Sequence, residues 1–157
     1  MKVYLIHHAN MFSADEDPDR HLSPRGREEA DRLGARLRAA GVAPTRILHS
    51  GKQWTMETAE RLAAAMGAVG KAAVADYPVG TGDPVAPFID EIGAGNGDLM
   101  MAGHADFLLR TASALVCSDE TIRTVEFKPG NCTAFCLEET DGDWAVAYGW
   151  RQEHMTG

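Results

Sequence analysis

Cysteine is scarce in this chain, and its few cysteines do not form a paired pattern. Only three occur among 157 residues, Cys117, Cys132 and Cys136, an odd number with no C-x-x-C spacing. This set argues against a disulfide framework and favours buried, free thiols in a reducing, cytoplasmic environment. Cys132 and Cys136 would share one face of a strand, so we expect them to pack rather than to react.

Long apolar runs and an excess of positive charge are also missing. No apolar run approaches the length that crosses a membrane, and Met1 leads directly into a strand, so we expect neither a membrane segment nor a signal peptide. The chain has 15 basic and 23 acidic residues, a net charge of −8, which argues against a nucleic-acid partner. Without repeats or low-complexity segments, residues 1–157 are expected to form a single domain.

Strand-like and helix-like runs alternate along the first two thirds of the chain. Apolar strands are predicted at 3–6, 47–48, 73–75 and 99–102. One helix is predicted after Ser23-Pro24, which supply an N-cap and a first-turn proline, with Gly41 as its stop. A second is predicted after a capping box of Ser50 and Gln53. Two more are expected, one ending near Ile92 and one after His104 with core-facing Phe107, Leu108, Leu115 and Val116.

The last third of the chain has a different pattern. Strands are predicted at 121–127, 133–137 and 144–148, and Asp141-Gly142-Asp143 between the last two is typical of a hairpin. Strand–helix units followed by an antiparallel end predict an α/β fold. We expect a three-layer α/β/α sandwich with a mixed, mostly parallel central sheet.

Histidines stand at the ends of three predicted parallel strands. His7 and His8 follow the first strand, His49 follows the second, and His104 follows a later one. Because the carboxyl ends of parallel strands lie along one edge of a sheet, these side chains are expected to share a crevice. Helices that open after Ser50 and His104 would direct backbone N–H groups at it. This arrangement predicts a site for an anion.

Several motifs occur in an order that can be compared with a known family. They are His7-His8 after a strand, Arg20-x-Leu22-Ser23-Pro24 opening a helix, Thr58-Ala59-Glu60, Ala102-Gly103-His104, and Phe127-Lys128-Pro129-Gly130 near the end. This order resembles that of the histidine phosphatase superfamily and, within it, the short SixA-like phosphohistidine phosphatases. The resemblance covers nearly the whole length and implies a phosphoglycerate mutase-like fold.

The resemblance also implies a reaction at phosphorus. In that family, the histidine after the first strand attacks phosphorus and becomes transiently phosphorylated, and water then hydrolyses the intermediate. By position this nucleophile is His8, and His104 contacts the transferred phosphoryl group. The implied phosphate contacts are His7, Ser50, Trp54, Asn10 and Arg20. The implied partner is a phosphohistidine protein or a small phosphorylated substrate, and no cofactor or metal is expected.

Two positions that hold arginine in the family differ here, namely His7 and Trp54. Arginine supplies a permanent charge and a bidentate fork, whereas histidine is largely neutral at pH 7 and tryptophan offers one neutral N–H. Losing one such donor typically costs roughly 10²- to 10³-fold in rate. Two functions follow: a weak phosphohistidine phosphatase, with Lys52 or Arg20 supplying charge, or a pseudo-phosphatase that binds phosphate or a phosphoprotein.

A third alternative is a metal site, because histidine-rich pockets suit zinc and related ions. The candidate ligands are His7, His8, His49 and His104. Adjacent residues of a strand point to opposite sides, however, which disfavours a shared ion at His7 and His8. The acidic stretch at 15–19 lacks the ligand spacing of a calcium loop and is expected to be a solvated loop.

Overall fold

One six-stranded sheet organises the computed structural model, which describes residues 1–155. The strands are β1 (Lys2–His7), β2 (Arg46–His49), β3 (Ala72–Val74), β4 (Leu99–Gly103), β5 (Ala134–Thr140) and β6 (Asp143–Trp150). Their spatial order is β3-β2-β4-β1-β5-β6. The first four strands in that order are parallel, and β5 and β6 are antiparallel to their neighbours. The mixed, mostly parallel sheet predicted from the sequence is thus confirmed.

Helices cover both faces of this sheet. They are α1 (Pro24–Ala39), α2 (Gln53–Met66), α3 (Ala86–Gly93) and α4 (Ala105–Cys117). Because side chains alternate along a strand, Tyr4 and Ile6 of β1 join the apolar cluster of α1 and α2, while Val3 and Leu5 join that of α3 and α4. The chain therefore has the expected three-layer α/β/α architecture. Within residues 1–155, no helix has the length and apolar character needed to cross a membrane.

Helix α1 begins and ends where local chemistry predicts. The Ser23 hydroxyl accepts a hydrogen bond from the Gly26 N–H at 3.1 Å, and Pro24 occupies the first turn. The helix ends before Gly41, whose positive φ of 72° suits glycine. A Cβ at Gly26 would lie 1.9 Å from the Asn10 carbonyl oxygen. Only glycine therefore lets the segment after His8 pack directly on this helix.

Two predictions about secondary structure are wrong. Residues 121–127 form a loop. Val125 and Phe127 are buried in the α3/α4 cluster, which gives the sequence the alternating apolar pattern of a strand although this segment is not part of the sheet. Helix α2 has Lys52 as its N-cap, with no side-chain capping bond among the described residues. The Ser50 side chain hydrogen-bonds across the sheet edge instead, so the predicted capping box does not form.

Among the predictions about the burial of α4 and of the cysteines, one is wrong. Leu115 and Val116 near the end of α4 are partly buried and pack against the α3/α4 cluster, as expected. Cys117, expected to be buried, is exposed as the last residue of that helix. Cys132 and Cys136 are buried and free as expected, and both lie in the α1/α2 cluster, although Cys132 precedes β5.

Candidate active site

The end of β1 fixes the orientation and protonation of His8. Its backbone N–H donates to the Gly103 carbonyl at 3.0 Å, which ties it to the end of β4. Its Nδ1 lies 3.0 Å from the Ala9 carbonyl oxygen, which can only accept, so Nδ1 carries the proton and Nε2 the lone pair. Burial, followed by the effect of neighbouring His7, lowers the pKa of His8 to about 3. His8 is therefore a neutral imidazole at pH 7, the form that can act as a nucleophile.

A directed chain of hydrogen bonds orients His104. The Thr55 hydroxyl donates to the Lys52 carbonyl at 3.0 Å, so it must accept from the Ser50 hydroxyl, 2.8 Å away. Ser50 then has no second proton and accepts from His104 Nε2–H at 3.0 Å. In neutral His104, Nδ1 therefore holds the lone pair. The Ser50 hydroxyl, predicted to contact phosphate, uses its one proton to hold this chain together.

Three rings surround the space next to the expected nucleophile. The ring centroids of His8 and His104 are 5.8 Å apart, and Trp54 lies 6.2 Å from the first and 6.3 Å from the second, all edge-on. The Trp54 Nε1–H is the one buried side-chain polar group without a hydrogen-bond partner in residues 1–155. A buried unpartnered donor is costly, so its position here points to an acceptor that binds in the pocket.

His7 lies beside His8 rather than across the sheet from it. The two ring centroids are 4.3 Å apart, because β1 ends at His7 and strand alternation stops there. Nδ1 of His7 lies 3.1 Å from the Lys128 carbonyl oxygen and 3.3 Å from the Gly130 nitrogen. A protonated Nδ1 donates to the Lys128 carbonyl, whereas an unprotonated Nδ1 accepts from the Gly130 N–H. Burial lowers the pKa of His7, and the same cause lowers that of His104, with Lys52 adding to the effect there.

Permanent positive charge reaches the pocket from Arg20. Its guanidinium carbon lies 5.6 Å from the Trp54 ring centroid, within cation–π distance. Arg20 adopts a positive φ of 53°. Asp17 holds this loop in two ways: its backbone carbonyl accepts from the Arg20 N–H, and its carboxylate accepts from the backbone N–H and the ring Nδ1 of His21. Arg20 is thus the residue that brings a guanidinium to the position next to Trp54.

Two predicted residues have other partners. The Asn10 side-chain oxygen accepts from the Ser23 hydroxyl at 2.5 Å, which places this amide at the start of α1. His49 Nδ1 accepts from the Gly51 N–H at 3.1 Å. Burial lowers the pKa of His49, and Glu60 of α2 acts in the opposite direction with a smaller effect. Residues that sequence reasoning missed are Thr55 and the carbonyls of Ala9 and Lys128. A threonine in the first turn of α2 is the only signal that the sequence contains for them.

The arrangement of the histidines does not favour a metal. Within residues 1–155, the one group whose ligand atoms are close enough for an ion is Asp17, Asp19 and His21, in the loop beside Arg20. The four histidines of the metal hypothesis do not form such a group. What the site offers instead is a neutral imidazole with a free lone pair, an unpartnered N–H donor and an adjacent guanidinium, which together suit a small tetrahedral anion.

Comparisons with known proteins agree with this description. Residues 3–75 match the model of the Histidine phosphatase superfamily (branch 1). Among curated protein sequences there is no match. The fold is similar to that of the protein histidine phosphatase SixA complexed with tungstate, with a TM-score of 0.83 at 14% identity over 99% of this chain and 100% of that one.

Other solved structures share the fold. A protein from Agrobacterium tumefaciens, assigned as a phosphohistidine phosphatase SixA, gives a TM-score of 0.74 at 19% identity over 95% of this chain and 96% of that one. The ecdysone phosphate phosphatase of Bombyx mori, in complex with tungstate, gives 0.70 at 13% identity over 94% and 92%. The chain thus has the sequence pattern of the histidine phosphatase superfamily over residues 3–75, and a fold like that of SixA over nearly all its length.

Proposed function

We propose that this protein is a phosphohistidine phosphatase of the SixA type, and that it works through a phosphohistidine intermediate on His8. The observation that carries the proposal is the state of His8, a neutral imidazole with its proton on Nδ1 and its lone pair on Nε2. Neutral imidazole is a competent nucleophile, and covalent catalysis divides one difficult displacement into two easier ones. The resemblance of residues 3–75 to histidine phosphatases supports the same assignment.

The proposed reaction has two displacement steps. His8 Nε2 attacks phosphorus, the bond from phosphorus to the substrate nitrogen breaks, and the substrate imidazole, already protonated on its other ring nitrogen, leaves as the neutral ring. Water then attacks the phosphoryl group on His8, which releases inorganic phosphate and restores the neutral imidazole. The phosphoryl oxygens accept from Trp54 Nε1–H and lie close to the Arg20 charge. A proton gained at Nδ1 of His104 adds a further positive group.

A labelling experiment tests this proposal. The protein is incubated with radiolabelled phosphohistidine peptide, and both released phosphate and acid-labile label on the protein are measured. We expect turnover and label on His8, and neither with His8→Ala. The matched control is His154→Ala, which removes an exposed histidine outside the pocket. Turnover that survives His8→Ala would reject the proposed nucleophile.

A second candidate function is supported by the neutral character of the pocket. His7 and Trp54 occupy positions of family arginines, and burial lowers the pKa values of His7 and His104. A pocket with so little fixed charge stabilises the transition state poorly, so a pseudo-phosphatase that binds phosphorylated proteins is the alternative. Calorimetric binding of tungstate with no label and no turnover would favour this function over the first.

A further inference from the structure

A groove of about 590 Å³ lies between α3 and α4. Its apolar lining includes Val85, Ile89 and Ala114. Three carboxylates also line it, from Asp83, Asp90 and Glu120, together with the guanidinium of Arg110. A groove with an apolar lining and charged edges has the composition of a surface that binds a polypeptide segment.

The charge of this acidic groove is unbalanced. Arg110 is its only basic lining residue within the described chain, and it already donates to the Asp106 carboxylate at 2.8 and 3.0 Å. Asp90 and Glu120 are exposed, and neither takes part in an ion pair within residues 1–155. The groove therefore presents uncompensated negative charge, which attracts cationic side chains and repels phosphate.

The near end of the groove adjoins the proposed phosphoryl site. The Gly82 N–H donates to the Asp106 carboxylate at 3.0 Å, which holds this end of the groove against the first turn of α4. His104 immediately precedes that helix, so Asp106, which holds Gly82 of the groove lining, lies two residues after it. The Asp83 carboxylate is close enough to His104 to act on its pKa, in the direction that raises it. A chain that enters the pocket can continue along this groove.

We propose that the acidic groove docks a segment of the phosphorylated partner protein that carries lysine or arginine between aliphatic residues, next to the phosphohistidine. The proposal rests on the proposed function, because it assumes a protein substrate at His8. Most small phosphorylated metabolites carry a net negative charge, so an acidic groove does not attract them. Nucleic acids and anionic lipid surfaces are repelled for the same reason, so a basic polypeptide is the occupant that its charge favours.

The test measures KM and kcat of each protein variant with two substrates. One is phosphoimidazole, which is large enough only for the site at His8, and the other is a synthetic peptide with a phosphohistidine followed by alternating lysines and leucines. The variant is Asp90→Lys with Glu120→Lys. Its matched control is Glu28→Lys with Asp143→Lys, which makes the same charge change at exposed positions outside the groove.

We expect the groove variant to raise KM for the basic peptide about tenfold with kcat unchanged, and to leave phosphoimidazole hydrolysis unaffected. The control variant should change neither. Equal effects on both substrates, no effect on the peptide, or a preference for the same peptide with glutamates in place of lysines would overturn the docking proposal. If the wild type hydrolyses neither substrate, the proposed function fails instead. The groove is then judged by calorimetric affinity for the unphosphorylated basic peptide, which must fall about tenfold in the groove variant alone.

Discussion

The two sides of the candidate site differ in how completely their hydrogen bonds are determined. On the side of His8 and His104, each ring has one nitrogen committed to a defined partner, the Ala9 carbonyl for the first and the Ser50 hydroxyl for the second. On the side of His7 and Trp54, one ring nitrogen lies between an acceptor and a donor, and the indole N–H has no partner. The first side presents a lone pair of defined orientation on His8. The second presents a hydrogen-bond donor, the Trp54 N–H, that no described protein group uses.

This difference separates two requirements of phosphoryl transfer. A nucleophile needs a lone pair of fixed orientation, which His8 has in the structure as it stands. Stabilising a transferred phosphoryl group needs positive charge around its oxygens, and the cations described beside these rings are Arg20, next to Trp54, and Lys52, which acts on the pKa of His104. The structure thus defines the proposed attacking group more completely than the positive charge around the group that it would attack.

Placing arginine at both positions 7 and 54 should have the largest effect. Because each guanidinium adds a permanent charge and a bidentate donor, His7→Arg with Trp54→Arg is expected to raise kcat/KM for phosphoimidazole by at least roughly 10²-fold. Steady-state kinetics with released phosphate as the readout would measure it. Circular dichroism and a thermal melt serve as controls for folding. An intact fold with unchanged kcat/KM would show that the two sides do not differ in the way described above.

Removing the charge of Arg20 should have the next largest effect. Arg20→Ala is expected to weaken tungstate binding about tenfold, because it removes the guanidinium next to Trp54. Arg20→Lys should restore only part of the affinity, since lysine keeps the charge but not the planar stacking on the indole. Isothermal calorimetry with tungstate measures both. The control is Arg123→Ala, whose exposed side chain pairs with Glu126 in the loop before β5. If Arg20→Ala and Arg123→Ala bind tungstate equally well, Arg20 is not part of the anion site.

The elements that the sequence predicts well depend on local chemistry. The N-cap of α1 follows from Ser23-Pro24, and the hairpin between β5 and β6 follows from Asp141-Gly142, whose φ values of 54° and 89° fit a two-residue turn. His8 and His104 are brought together because parallel strands end at one edge. In each case a few adjacent residues, or a rule of topology, determine the outcome.

The elements that the sequence predicts poorly depend on partners far along the chain. Ser50 fits a capping box, but the imidazole that it contacts lies 54 residues later, so local pattern alone cannot reveal it. Val125 and Phe127 alternate like a strand, yet both side chains pack into the α3/α4 cluster on one face of the sheet, a contact that the local pattern does not reveal. The stacking of Arg20 on Trp54 likewise requires a loop geometry that Asp17 sets.

The pH dependence of anion binding should distinguish the two sides with a smaller effect. Burial keeps the pKa values of His7 and His104 below 6.5 in the free protein, and a bound anion raises them, so binding takes up protons. Affinity for sulfate, whose charge is constant over this range, should therefore rise as pH falls through the pKa values of the anion-bound protein, by up to about tenfold per pH unit for each proton taken up. Calorimetry in buffers of different ionisation enthalpy counts the protons. The variant with arginine at positions 7 and 54 should show a shallower slope, and a pH-independent wild type would contradict the proton linkage.

The smallest effect is expected from Thr55, which touches neither substrate nor nucleophile. Thr55→Val keeps the shape of the side chain but removes the acceptor for the Ser50 proton, so Ser50 can turn its O–H towards His104 Nε2 and reverse the tautomer of that imidazole. With Nδ1 rather than Nε2 protonated, the pH profile of kcat should shift while kcat itself falls only a few-fold. Thr55→Ser, which retains the hydroxyl, should restore the original profile. A uniform loss of activity at every pH, with no rescue by serine, would mean that Thr55 supports packing of α2 and does not direct the proton of His104.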